Sequence, residues 1–136
     1  MLHAKHITLT HGATEATLTR TQFGINRGVI YRIWIHFPPG CAGLVKLRIY
    51  HQGHPFLPVE EDAYIKGDSY VFEFPIMFEI LEPPEQITID AWNEDDVYDH
   101  SIDVSFLIIP KEWIQPVGAY EGIIAALSSL FRGGRT

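Results

Sequence analysis

The chain has little of what braces a small protein covalently or through metal. It holds one cysteine, Cys41, in 136 residues, which excludes an internal disulfide framework and a cysteine-built zinc site. No uncharged apolar run reaches the roughly 18 residues of an ordinary transmembrane helix. The opening Met1-Leu2-His3-Ala4-Lys5-His6 lacks the apolar stretch of a secretory signal. Positive charge is scarce: ten lysines and arginines stand against seventeen acids, for a net charge of −7, which argues against bulk nucleic-acid binding. Also missing are a G-x-S-x-G elbow, a P-loop, a G-x-G-x-x-G turn and an H-E-x-x-H pair. No reaction and no cofactor are therefore read from the sequence, and the expectation is a protein that is not an enzyme.

What is present is enough for one domain with a core. The chain is 46% hydrophobic and 20% charged, the balance of a globular domain and not of a disordered one. Its charge is unevenly spread. Residues 1–59 carry Lys5, Arg20, Arg27, Arg32, Lys46 and Arg48 against Glu15 alone, for +5. Residues 60–136 carry sixteen acids and four basic groups, for −12. Two readings follow. The signs intermix on a solvated surface, or they segregate and dock copies positive side to negative side.

Alternation with period two dominates, as half-buried strands require. In Gly28–Pro38, Val29, Tyr31, Ile33, Ile35 and Phe37 alternate with Ile30, Arg32, Trp34 and His36. After the break at Pro38-Pro39-Gly40, Leu44–His51 alternates again, with Val45, Leu47 and Ile49 on one side. The short connection predicts an antiparallel hairpin that places Arg32, Lys46 and Arg48 on one solvent face. Residues 52–69 read as a long loop. Tyr70–Leu81 reads as a strand whose Pro75 marks an edge or a bend. Ile87–Asn93 and His100–Ile109 are further strands, the first with Ile87, Ile89 and Ala91 inward. Two short threonine-rich strands are expected near Lys5–His11 and Ala16–Thr21. Seven strands with Pro/Gly turns predict an all-β protein, an antiparallel β-sandwich of immunoglobulin-like or jelly-roll-like type, over residues 1–112.

Residues 113–136 change period. Trp113, Val117, Tyr120, Ile124, Leu127 and Phe131 recur at threes and fours, which predicts a C-terminal amphipathic α-helix followed by a basic tail with Arg132 and Arg135. The other side of that helix is small and nearly uncharged. Gly118, Gly122, Ala125, Ala126, Ser128 and Ser129 leave Glu121 as the only charge between Glu112 and Arg132, whereas a surface helix carries a charged stripe. Each interior glycine costs about 1 kcal/mol against alanine. Burial of Val117, Tyr120, Ile124, Leu127 and Phe131, at about 1.5–3 kcal/mol each, outweighs that cost. Left in water the stripe is an aggregation liability. The helix is thus expected to form an interface in a homo-oligomer or larger assembly. It lacks the lysine- and arginine-rich face of an interfacial membrane helix, so a membrane partner is disfavoured.

Three further constellations carry chemistry. The acidic turn Asn93–His100 resembles the calcium loop of a C2 domain, with Asp95, Asp96 and Asp99 as candidate ligands, but the partner loop Glu60-Glu61-Asp62 lacks that spacing, and a solvated hairpin turn is the simpler reading. Trp34, Tyr50 and Trp92 lie off the apolar parity of their strands and form a candidate ligand face for stacking sugars or meeting a protein. The alternative is that neighbouring segments cover them. Cys41, in a turn of small residues, reads as a packed side chain.

The segments Phe37–Leu44, Ile49–His54, Ala91–His100 and Ile109–Glu112 together resemble small β-sandwich proteins encoded among the structural genes of tailed bacteriophages and prophages. The resemblance spans residues 28 to 110 and brings no active-site residues with it. It implies a virion component, a capsid decoration or other auxiliary head or tail protein, with a major capsid protein among its partners. A carbohydrate- or host-surface-binding module is the alternative.

Overall fold

The computed structural model describes residues 1–114 and is all-β over that span. Nine strands form: β1 (Leu2–Leu9), β2 (Thr19–Ile25), β3 (Val29–Phe37), β4 (Val45–His51), β5 (His54–Leu57), β6 (Ile65–Lys66), β7 (Tyr70–Glu79), β8 (Glu85–Asn93) and β9 (His100–Ile109). A one-turn 3-10 segment, Glu15–Thr17, lies between β1 and β2, and another, Lys111–Trp113, follows β9. The C-terminal helix expected beyond Trp113, with Val117, Tyr120, Ile124, Leu127 and Phe131, lies outside the described residues.

All pairings are antiparallel and build two sheets. One runs β1-β9-β3-β7; the other runs β2-β8-β4-β5, with β6 also on β4. This nested order, in which early and late strands interleave within each sheet, is that of a jelly roll of eight principal strands, β6 being a short addition. It is not the ABED/CFG order of an immunoglobulin domain. The two inner faces meet in one core. Ile33, Ile35, Phe37, Val45, Leu47, Ile49, Ile89 and Val104 are all fully buried.

The expected hairpin of β3 with β4 does not form. β3 pairs with β7 and β9, and β4 pairs with β8, β5 and β6. Each strand has one apolar face, and both faces are buried only if the strands oppose each other across the sandwich. Residues 38–44 make that crossing, with positive φ at Gly40, Ala42 and Gly43 turning the corner. Arg32 therefore lies on one sheet and Lys46 and Arg48 on the other, so the predicted shared basic face does not exist.

The stretch read as a loop over 52–69 contains β5 and β6. Pro75 sits on β7, which among the described residues pairs with β3 alone and so is an edge strand, as a residue without an N–H requires. Opposite it β3 is bulged. Tyr31 is the extra residue of β3 against β9, and on the other side Tyr31 stands opposite both Ile76 and Met77, so that β7 carries one extra residue there. The bulge switches parity, so Ile30 enters the core in place of Tyr31.

Candidate functional site

The outer face of the second sheet is held by ion pairs and aromatics. Asp90 on β8 is 1% exposed and accepts two hydrogen bonds from Arg20 of β2, Nε at 2.8 Å and Nη2 at 2.9 Å. Arg48 of β4 is largely buried, donates to Glu15 at 2.6 Å, and lies over the Trp92 ring at 5.3 Å. The Arg48 Nε is buried without a hydrogen-bond partner. Lys46 pairs with Glu94, and Tyr64 meets Trp92 edge-on at 5.9 Å. Trp92 is 3% exposed as a result, with its indole N–H 3.3 Å from Glu94. The long side chains of β4, with Tyr64 and with Glu15 of the first 3-10 segment, thus cover the central strand β8 on its outer side.

The three aromatics of the candidate ligand face are separated by the fold. Trp34 is on β3, between Glu73 and Ser105 in register on the first sheet, while Tyr50 and Trp92 are on the second. They cannot form one stacking row. Tyr50 remains half-exposed and borders a shallow cleft of about 340 Å³ with Arg20, Gln22, Gly53, Gln86 and Thr88.

The acidic turn is spent on its own backbone. Asp95 accepts N–H bonds from Val97 at 2.9 Å and Tyr98 at 3.2 Å, and its other oxygen lies 2.9 Å from His100 Nε2. These contacts, the Val97 N–H foremost, pull its carboxyl down to about 2. Asp99 takes the backbone N–H of His11 at 2.9 Å and its ring Nδ1 at 2.6 Å, which lowers its pKa as well. The carboxylates of Asp95 and Asp99 thus face different partners instead of converging with Asp96 on one point. Among the described residues no group of three or more histidine, cysteine or acidic side chains is arranged to hold a metal. Below the turn, buried Asn93 donates to the carbonyls of Leu9 at 3.2 Å and Tyr98 at 2.9 Å and accepts from the Asp95 N–H at 3.0 Å.

Two further buried groups take structural positions. Cys41 is buried in the core, and burial pushes its thiol up. His51 meets Glu85 and packs on Phe78 and Phe56. Burial works to raise the Glu85 pKa, but the Glu82 N–H, His51 and the Leu81 N–H outweigh it and hold the carboxyl below its ordinary value.

A feature the sequence reading missed lies where β9 ends. A cleft of about 440 Å³ opens there, walled by Met1, Ile80, Ile108, Ile109, Pro110 and Trp113. Arg27, Glu112 and the Glu79–Lys111 ion pair, 2.8 Å long, line it as well. Met1 is 78% and Trp113 67% exposed, and Leu2 and Leu81 are exposed as well. Gly28 shapes its floor. A Cβ there would meet the Ile109 carbonyl oxygen at 2.8 Å, and φ is +114°, a backbone that glycine alone adopts without strain. The signal for this cleft was the late switch of His100–Ile109 to apolar residues on both parities.

Among the described residues, no helix is long and apolar enough to cross a membrane. No family model and no curated protein matches the chain. Among solved structures, a chain of the capsid asymmetric unit of cyanophage Pam1 is similar to it, with TM-score 0.52 and 12% identity over 78% of this chain and 81% of that one. PirA gives a TM-score of 0.40 at 9% identity, covering 76% of this chain and 93% of that one. FLHE gives 0.34 at 11% identity, covering 77% and 95%. The cyanophage chain shares the fold, and the other two likenesses are weaker.

Proposed function

We propose that the chain is a non-enzymatic structural protein of a phage virion, a capsid decoration or other auxiliary head or tail protein. It assembles with copies of itself and with virion partners such as a major capsid protein. The observation that carries this reading is the eight-strand nested sandwich, whose solved likeness is a cyanophage capsid chain. Jelly rolls serve in capsids and lectins alike, so the fold supports the role without fixing it. The apolar end of the sandwich adds weight. Exposed Met1 and Trp113 line a mainly apolar cleft, and contiguous apolar surface marks interaction sites.

The test is composition. Particles banded from the cells that make this chain are dissolved and measured by quantitative mass spectrometry. The chain is expected in many copies per particle, in fixed ratio to the major capsid protein. Its presence in the lysate but not in the particles contradicts the reading.

The second reading, a glycan-binding module, rests on the cleft of Tyr50, Arg20, Gln22 and Gln86, where an aromatic ring stands beside hydrogen-bonding side chains. A glycan array at millimolar sugar tests it, and Tyr50→Ala should abolish any signal. Silence across all glycan classes removes it.

A further inference from the structure

We infer that the apolar cleft at the end of β9 is a docking surface for the segment 117–131 of a second copy of this chain. The inference deepens the assembly reading by naming the surface and its occupant. The cleft is lined mainly by apolar residues, with Met1, Ile80, Ile108, Ile109, Pro110 and Trp113 against Arg27, Glu79, Lys111 and Glu112. Glu79 and Lys111 are paired with each other, and the Met1 ammonium donates to the Ile108 carbonyl. A mainly apolar side-chain row suits that lining.

The chain itself supplies such a row at that place. It leaves the described body at Ile114, one residue after Trp113 on the cleft wall, and 22 residues remain. Those residues include Val117, Tyr120, Ile124, Leu127 and Phe131 at helical spacing. A helix over 117–131 would be about 22 Å long at 1.5 Å per residue, ample to fill the cleft and run past it.

The occupant is a second copy because of the other residues of the segment. A helix lying on its own body needs a charged stripe toward water. Between Val117 and Phe131 the sequence offers only Glu121, together with Gly118, Gly122 and Ala126, which are spaced for close approach of another backbone. Exchange of these segments between copies would give the large apolar residues the cleft and the small ones a neighbouring backbone. Exchange of an identical element between protomers is a low-cost route to symmetric assembly.

Cys41 is buried and is the chain's one cysteine, so introduced thiols report without interference. Two full-length variants are made, Glu112→Cys on the cleft rim and Ser128→Cys on the segment, plus a chain carrying both. An equimolar mixture of the two single variants is oxidised and resolved by mass. The expected product is the mixed disulfide dimer, at least several-fold above the dimers each variant gives alone. An internal disulfide in the double variant, with no mixed dimer, means the segment seats on its own body and overturns the inference. So does the absence of either disulfide. Neither failure bears on particle composition, which the mass-spectrometric test reads separately.

Discussion

Asn93 stands where β8 ends, and its side-chain amide satisfies backbone groups at the end of β1 and in the acidic turn. Asn93→Ala leaves the Leu9 and Tyr98 carbonyls and the Asp95 N–H without that partner. Buried polar groups so orphaned cost about 1–3 kcal/mol, and a urea titration should show a loss in that range. A loss under about 0.5 kcal/mol would mean that the amide is not what closes the turn. Asp95 makes a second prediction, about pH. Its folded carboxyl sits near 2, below the ordinary 3.8. Its contribution is fully present above 3.8 and disappears as pH falls through about 2. Between those values Asp95→Asn should lose less stability on acidification than the parent. Parallel profiles for the two proteins would contradict the assignment. The acids of this turn were legible as a cluster, but their partners were not. His11 lies 88 residues before Asp99, and no local pattern announces it.

At the scale of elements, period two located the strands well and their pairing poorly. Alternation in 28–37 and 44–51 placed β3 and β4 within a residue or so of their observed ends. It could not show that the connection crosses between sheets. That choice belongs to the core, because each strand has one apolar face to bury. The bulge at Tyr31 was also hidden, since Val29, Ile30 and Tyr31 are all apolar and carry no parity signal. β8 left a choice open. Trp92 lies off the apolar parity, and of its two readings, a ligand face or cover by neighbouring segments, the structure shows the second, with Arg48 and Tyr64 over it. Proline was the clearer guide. Pro75 marks β7 as an edge, and it interrupts the row of free N–H groups that edge would offer to a neighbour. Pro75→Thr restores that donor beside exposed Tyr70, Val71 and Met77. Light scattering at elevated concentration should show faster aggregation than the parent. An unchanged rate would mean that other features of β7, such as its bulge and Glu73, already blunt the edge.

Over the whole molecule the charge asymmetry of the two halves is dissolved by the fold. Because the sheets interleave early and late strands, Arg20 meets Asp90, Arg32 meets Glu73 and Lys46 meets Glu94. The intermixed reading fits these pairs, and docking of a positive half on a negative half finds no support in them. In the proposed assembly, apolar contact is the driving force, through the cleft at the end of β9 and the segment 117–131, whose one charge is Glu121. The mass of the full chain in solution tests that claim most directly. By light scattering after size exclusion at micromolar concentration, the account predicts a discrete multiple of the 15.5 kDa chain mass. A monodisperse particle of 15.5 kDa, unchanged on concentration, would contradict it.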